Sequence, residues 1–341
     1  MERRAFPLEG FVLVYLLVYL PNIVVTKLIT SIPHHGLGRP LTGLETLPAT
    51  LIISTVITYL FIWLSGWHRD ANAVQVAGRR LPVPTRYTLM SGFGTALVLF
   101  TVPLSFTFQG VSIPFIQLLM RGDILVIAPL VDLMFGRRVR WWSWTALALV
   151  LIALVITVGD RGGLNLPPLA ILTVVLYTAG YFVRLAVMTK VSKGHGQASI
   201  RKYFVEEKIV AMPLSIFVLA LISASGIGAQ AGELEFGFIG VWSDPILMPL
   251  IVIAVTMTAI AILSIIILLD PRENSYCVPM ERAASLLAGI MAALLLAWFW
   301  GQPEPRPAEL AGALILIAAV VVLSLAPRLS RRVDQVRAEA A

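Results

Sequence analysis

The lysine and arginine residues of this chain are distributed very unevenly among its loops. When the chain is read as ten hydrophobic spans with the N-terminus inside, the inner loops contain most of the basic residues, namely Arg3, Arg4, Arg69, Arg79, Arg80, Arg86, Arg137, Arg138, Arg140, Lys190, Lys193, Arg201, Lys202, Arg272, Arg328, Arg331, Arg332 and Arg337. The outer loops contain only Arg39, Arg161 and Arg306. This asymmetry follows the positive-inside rule over ten segments. It predicts a polytopic membrane protein with both termini in the cytoplasm.

Composition supports a membrane protein with little chain left for a soluble domain. Hydrophobic residues make up 58% of the sequence, which excludes an ordinary soluble domain, and a helix needs about 20 apolar residues to cross a bilayer. The predicted spans cover residues 10–32, 47–66, 88–106, 111–135, 142–159, 167–189, 205–224, 246–269, 276–299 and 308–327. They are too long for barrel strands and do not alternate in polarity. The predicted fold class is therefore an all-α integral membrane protein.

The ends and the charge of the chain fit the same interpretation. The first apolar run is too long for a signal peptide and no small-residue cleavage site follows it, so it is predicted to be a retained span. The net charge of +7 lies mainly in the inner loops, where anionic lipid headgroups account for it without nucleic acid. We expect a bacterial cytoplasmic membrane location. The single cysteine, Cys277, excludes an intramolecular disulfide.

Two segments of the chain resemble each other weakly. Residues 118–156 and 279–321 each start near an arginine in an apolar helix (Arg121 or Arg282), reach a loop led by a glycine (Gly136 or Gly301), and end in small and aliphatic residues. The match divides the chain into five-span halves, 1–165 and 166–341, within one transport domain. An odd number of spans gives the halves opposite orientations, as in the inverted repeats of many secondary transporters.

Ten spans in two sets of five, with short hairpins between spans four and five and between spans nine and ten, resemble the drug/metabolite transporter superfamily. This superfamily includes EamA-type exporters, nucleotide-sugar transporters and triose-phosphate translocators. The resemblance implies a central cavity lined mainly by spans 1, 3, 4, 6, 8 and 9. It also implies that Arg121, Arg184 and Arg282 take the positions at which triose-phosphate translocators hold the substrate phosphate with basic residues.

The fourth span contains two polar residues on one face. Gln117 and Arg121 are four residues apart, and residues at that spacing are neighbours on a helix surface. An arginine near the bilayer midplane costs about 2.5–3.5 kcal/mol on insertion scales. Arg121 is therefore expected either to face a polar cavity or to pair with a carboxylate such as Glu281.

The sixth span places Tyr177, Tyr181 and Arg184 on one helical stripe. A tyrosine combines an apolar ring with a hydroxyl group, which suits the wall of a site for a polar organic molecule. Arg184 lies toward the cytoplasmic end, where snorkelling to the interface is the alternative to a role in the site.

The ninth span begins with Asn274 and continues to Glu281 and Arg282. Adjacent residues on a helix point about 100° apart, so Glu281 and Arg282 are not expected to pair side by side. At least one of them is expected to face the centre of the bundle.

The seventh span begins near Glu206, Glu207 and Lys208. Carboxylates are favourable at the start of a helix because of the helix dipole, so this group is interpreted either as an amphipathic helix start or as a gate or proton relay.

These residues favour a secondary transporter that moves a small organic anion by alternating access. We therefore do not expect an enzyme. Phosphate is the expected charged group, on a sugar phosphate, a nucleotide sugar or a lipid, because the guanidinium fork binds it bidentately. A proton-coupled exporter of neutral or amphipathic metabolites, with Glu281 or Glu206 as proton carrier, is the alternative. A polytopic lipid-modifying enzyme is a further rival, which needs a nucleophile or base near the arginines.

The expected partners follow from the same interpretation. They are a small-molecule or lipid substrate and membrane lipids, without nucleic acid. A homodimer is also possible. The sequence contains no phosphate-binding loop and no HExxH motif, so we expect no cofactor and no metal.

Overall fold

The structure is a computed structural model that describes residues 8–33, 37–76, 78–108, 111–134, 141–160, 166–191, 196–243, 246–270 and 274–339. Within these ranges nearly all of the chain is α-helical. The long helices are α1 (Leu8–Ser31), α2 (Gly43–Leu64), α3 (Arg86–Ser105), α4 (Ile113–Met134), α5 (Trp141–Asp160), α6 (Pro168–Val191), α7 (Gln197–Ala224), α9 (Leu247–Leu268), α10 (Asn274–Trp300) and α11 (Pro307–Glu339), with a short α8 (Gly228–Ile239).

Several of these helices are long and apolar enough to cross a membrane. Seven meet that standard among the described residues: α1, α2, α3, α6, α7, α9 and the segment Met280–Trp300 of α10. The prediction of an all-α membrane protein is therefore confirmed. The remaining long helices, α4, α5 and α11, coincide with the fourth, fifth and tenth predicted spans, and their crossing of the membrane stays a prediction.

The helices differ from the predicted spans mainly at their polar ends. Helix α7 begins at Gln197 and α11 continues to Glu339, whereas the predicted spans begin at 205 and end at 327. Hydropathy marks only the apolar part of a helix, but the backbone hydrogen bonds continue into polar turns that water also solvates. Two predicted loops also contain regular structure: 225–245 includes α8, and 67–87 includes a hairpin of β1 (Ala73–Val76) and β2 (Arg79–Pro82).

Helix α2 begins at a local sequence signal. The Thr42 hydroxyl accepts from the backbone N–H of Glu45 at 3.2 Å, and the Glu45 carboxylate accepts from the backbone N–H of Thr42 at 2.8 Å. This reciprocal capping box satisfies donors that the first turn leaves unpaired. Arg39 also donates to Glu45 at 2.6 Å, which balances the buried carboxylate at the end of the helix.

The hairpin between α2 and α3 is held against α7 by Glu206. Its carboxylate accepts from the backbone N–H of Asn72 at 3.0 Å and from that of Thr85 at 3.4 Å, and these two residues flank the hairpin. The Thr88 hydroxyl donates to the same carboxylate at 2.9 Å. Glu206 therefore fixes both ends of the hairpin to the side of α7.

Helices α3 and α6 cross with their backbones in contact. A Cβ atom built on Gly180 would lie 2.5 Å from the carbonyl oxygen of Gly94, and one built on Gly94 would lie 2.6 Å from the carbonyl oxygen of Gly180. Small residues permit such close approach in membrane helices, where van der Waals packing is a main source of association. The crossing brings Thr95 of α3 and Arg184 of α6 to the same region of the bundle.

Candidate functional site

A cavity lies between the middle portions of the helices and is lined by four buried charged side chains. Its volume is about 90 Å³, enough to hold several water molecules. The lining residues come from six helices: Tyr15, Tyr19, Asn22, Thr95, Val98, Leu99, Val102, Pro103, Tyr177, Tyr181, Arg184, Lys208, Met257, Ile260, Ala261, Ser264, Glu281 and Arg282. A second cavity of about 270 Å³ includes Lys27 and Arg306. It is larger but lies at the helix ends, so the first is the better candidate site.

One side of the first cavity is a cation–carboxylate cluster on α6 and α7. Nε of Arg184 donates to Oε1 of Glu207 at 3.0 Å, and Nζ of Lys208 lies 3.8 Å from Oε2 of Glu207. All three side chains are almost completely buried. Two cations thus share one carboxylate. Both cations line the cavity, whereas Glu207 contacts them but does not line the cavity itself. The cluster leaves an excess positive charge on this wall.

Three hydroxyl groups also hold Glu207 in place. Oε1 of Glu207 accepts from Thr95 at 2.6 Å, from Tyr203 at 3.0 Å and from Ser91 at 3.2 Å, and Ser91 and Tyr203 also contact each other closely. Oε2 accepts no hydrogen bond from any described residue. Among the described residues the carboxylate is therefore hydrogen-bonded through Oε1 only, and Oε2 lies 3.8 Å from Nζ of Lys208.

The other charged wall consists of Glu281 and Arg282 on α10. Ser264 donates to Oε1 of Glu281 at 2.5 Å and Tyr15 donates to the same oxygen at 3.3 Å. The guanidinium carbon of Arg282 lies 4.2 Å from the centre of the Tyr181 ring, a cation–π distance. These contacts fix both side chains at the cavity surface.

Glu281 and Arg282 also contact each other, so the inference that they cannot pair side by side was wrong. Nη2 of Arg282 lies 3.4 Å from Oε2 of Glu281, because both side chains are long enough to turn toward each other from adjacent positions. The contact is not a hydrogen bond: Oε2 of Glu281 and both Nε and Nη2 of Arg282 have no hydrogen-bond partner among the described residues.

The most informative feature of Arg282 is that Nε and Nη2 make no hydrogen bond to a described residue. Nε and Nη2 lie on one edge of the guanidinium, and this edge binds a carboxylate or phosphate through two parallel hydrogen bonds. Arg282 is 3% exposed, so water at the protein surface does not satisfy these donors. A buried and unsatisfied charged donor costs free energy, which an anionic ligand in the cavity would recover.

The cavity unites most, but not all, of the residues expected from sequence. Tyr177, Tyr181, Arg184, Glu281 and Arg282 all line it. These five residues come from helices far apart in the chain, and their convergence is a property of the tertiary packing.

Four other candidates do not contribute to the described cavity lining. Gln117 is buried beside Gly289 of α10, in a close contact that only a glycine allows. Glu206 faces the hairpin instead. The side chains of Arg121 and Asn274 lie outside the part of the chain that the structure describes.

Several lining residues were not identified from sequence. Tyr15, Tyr19 and Asn22 of α1 line the cavity, and an asparagine in the middle of an apolar span was a usable signal for this helix. Glu207 and Lys208 were interpreted as a helix start or a gate, because the seventh span was predicted to begin at residue 205. Since α7 begins at Gln197, these residues lie about three turns inside the helix and are buried.

Comparison with known proteins gives a fold likeness only. No protein-family model matches the chain, and no curated protein matches it. A solved structure described as "Crystal structure of protein" is similar with a TM-score of 0.54 and 15% sequence identity, over 94% of this chain and 99% of that chain. At this identity the likeness shows that the fold has been observed before.

Proposed function

We propose that this protein is a secondary transporter that moves a small organic anion across the membrane by alternating access. The observation that carries the proposal is the edge of Arg282 that makes no hydrogen bond to a described residue, in a buried cavity that Arg184 and Lys208 also line. Basic side chains within a membrane are costly, and they commonly mark a substrate or ion pathway. A binding site between helices at mid-membrane depth is typical of secondary transporters.

A repeat in the cavity lining supports two related halves. A shift of 162 residues carries the starts of α3 and α4 to within one residue of the starts of α9 and α10. The same shift carries seven lining residues onto seven other lining residues, in the pairs Tyr15 and Tyr177, Tyr19 and Tyr181, Asn22 and Arg184, Thr95 and Met257, Val98 and Ile260, Leu99 and Ala261, and Val102 and Ser264. Equivalent positions of both halves therefore line one cavity, as expected for repeats around a shared site.

The contacts between helices support the same symmetry. Under this shift α1 corresponds to α6, α2 to α7, α3 to α9, α4 to α10 and α5 to α11. Helix α3 packs on α6 and α7, and the corresponding pairs, α9 on α1 and α9 on α2, are also in contact. The pair α1 and α10 corresponds to α6 and α4, which again pack together, while α5 packs on its own counterpart α11. Exchange of the two halves thus preserves the main contacts, which favours two five-helix repeats that move against each other.

The chemistry of the cavity favours an anion with an organic body. Arg282 offers two parallel donors, which suit a phosphate or carboxylate. We propose that the charged group of the substrate is a phosphate. The lining also contains tyrosine and aliphatic side chains, so the remainder of the substrate contacts carbon atoms. A phosphorylated metabolite or a lipid-linked phosphate meets both conditions.

A second candidate is a proton-coupled exporter of neutral or amphipathic metabolites. The observation that favours it is the Glu281 carboxylate, which lines the cavity, is buried, and has one oxygen without a hydrogen bond. In this mechanism Glu281 would exchange a proton with the cavity during each transport cycle. Glu206 is a weaker carrier, because its carboxylate is occupied by the ends of the hairpin.

The test is a ligand screen followed by a transport assay. Purified protein is heated with phosphorylated metabolites and with their non-phosphorylated counterparts, and compounds that raise the unfolding temperature are then measured for exchange in proteoliposomes. The phosphorylated set includes both phosphate monoesters and phosphodiesters, and we expect at least one of these two classes to stabilise the wild type and to be exchanged. Arg282→Gln should abolish both effects, whereas Arg201→Gln, a matched change at an exposed arginine, should retain them. Equal stabilisation by the two sets of compounds would instead favour the neutral-substrate exporter.

A further inference from the structure

The described charges around the cavity do not cancel. The cations are Arg184, Lys208 and Arg282, and the carboxylates are Glu207 and Glu281. Each arginine contacts one carboxylate, at 3.0 Å for Arg184 and at 3.4 Å for Arg282. Among these described charges, no further carboxylate is left to balance Lys208. Its ammonium lies 3.8 Å from a carboxylate that already accepts from Arg184. The described site therefore carries one net positive charge.

A net charge inside a membrane protein is expensive because the surroundings are poorly polarisable. A ligand that brings one negative charge makes the occupied site neutral. A ligand with two negative charges leaves an excess negative charge, and a neutral ligand leaves the positive charge uncompensated. The net charge of the site thus selects among ligands that have the same shape.

The remainder of the lining is mainly apolar and aromatic. Val98, Leu99 and Val102 of α3 face the cavity together with Met257 and Ile260 of α9. Two tyrosine pairs, Tyr15 with Tyr19 and Tyr177 with Tyr181, bring four aromatic rings to the same space. Apolar and aromatic walls with a few placed charges are typical of sites for organic molecules.

We propose that the substrate is a singly charged organic anion with an apolar body, and that Glu207 sets this charge preference. This inference rests on the proposed transport function and narrows its substrate class: a phosphodiester or a carboxylate fits, and a doubly charged phosphate monoester does not. Glu207 acts from behind the cavity wall, where it cancels one of the two cations that it contacts. It is therefore a specificity-determining residue that does not itself need to touch the substrate.

The experiment uses four compounds that share a phenyl ring and differ in charge. They are benzamide (neutral), benzoate and methyl phenyl phosphate (one negative charge each), and phenyl phosphate, which carries close to two charges at about pH 7 because the second phosphate pKa is about 6. Dissociation constants for the detergent-solubilised full chain are measured by thermal shift over a range of ligand concentrations. The wild type should bind the two monoanions at least about tenfold more tightly than the other two compounds. Benzoate and methyl phenyl phosphate then distinguish a carboxylate from a phosphodiester.

Two variants should move the preference in opposite directions. Glu207→Gln keeps the shape of the side chain and raises the net charge by one, so phenyl phosphate should become the tightest ligand. Lys208→Gln lowers the net charge by one, so the affinity for benzamide should rise relative to the affinity for benzoate. Glu206→Gln is the matched control: it removes an equal charge from the adjacent residue, but Glu206 faces the hairpin and not the cavity. Its order of preference should equal that of the wild type.

The outcomes separate this inference from the transport proposal. If the wild type prefers phenyl phosphate, or if the order is the same in all four proteins, the charge inference is wrong while an anion site remains. If no anion binds, both the charge inference and the anion-transport proposal are wrong. Should Glu207→Gln fail to fold, Lys208→Gln carries the test, since an unchanged preference in that variant overturns the inference by itself.

Discussion

A methyl group at position 180 should force α3 and α6 apart. A Cβ atom there would lie 2.5 Å from the carbonyl oxygen of Gly94 and 2.9 Å from Cβ of Leu97. Neither neighbour is the flexible end of a side chain, so the helices themselves must separate. Ordinary contact begins at 3.4 Å, which requires a shift of about 0.9 Å at the crossing. Overpacking of this kind typically costs about 1–3 kcal/mol.

The assay compares the unfolding temperatures of purified proteins in one detergent, from the fraction that remains soluble after heating. Gly180→Ala should unfold at a lower temperature than the wild type, and Gly94→Ala should show a similar loss because its Cβ atom would lie 2.6 Å from the carbonyl oxygen of Gly180. Gly159→Ala is the control, since nothing lies within 4 Å of its added Cβ atom. Alanine is the better helix former by about 0.5–1 kcal/mol, so the control should unfold at the same temperature or higher. Equal stability of Gly180→Ala and Gly159→Ala would refute the close crossing.

Three further predictions concern topology, anion binding and coupling. In a chain without its native cysteine, Ser192→Cys and Ser225→Cys should react with an impermeant thiol reagent from opposite sides of the membrane, and reaction from one side would contradict the ten-span arrangement. Arg121→Ala and Arg282→Ala should each weaken anion binding by about 1.5–3 kcal/mol, or roughly 10- to 150-fold, without unfolding the protein, and lysine should replace Arg121 poorly because it lacks the bidentate fork. Normal binding with lower thermal stability would mean that these arginines only pair with carboxylates inside the bundle. If Glu281 carries protons, Glu281→Gln should abolish pH-driven uptake and keep exchange, whereas an unchanged pH dependence would leave Glu281 with a structural role.

The sequence predicted the helical segments well because the membrane imposes a local rule. Each span must satisfy its own backbone hydrogen bonds and must be apolar over about 20 residues, and hydropathy measures that property directly. The same rule fails at polar helix ends, which is why the start of α7 was placed at 205 instead of Gln197. Because of that error, Glu207 and Lys208 were placed near the helix end. With the helix starting at Gln197, both residues lie inside the bundle and are buried.

The sequence alone determined that the chain is an all-α membrane protein with arginines at costly positions, because burial in hydrocarbon depends on short stretches of chain. Only the tertiary structure decided which carboxylate meets which cation. Glu206 and Glu207 are adjacent and chemically identical, yet the first fixes the hairpin and the second neutralises Arg184 behind the cavity wall. The direction in which a helix turns its side chains depends on its neighbours, and here it depends on contacts between helices far apart in sequence. For the same reason Tyr15 and Asn22 became part of the site when α1 packed against α9 and α10.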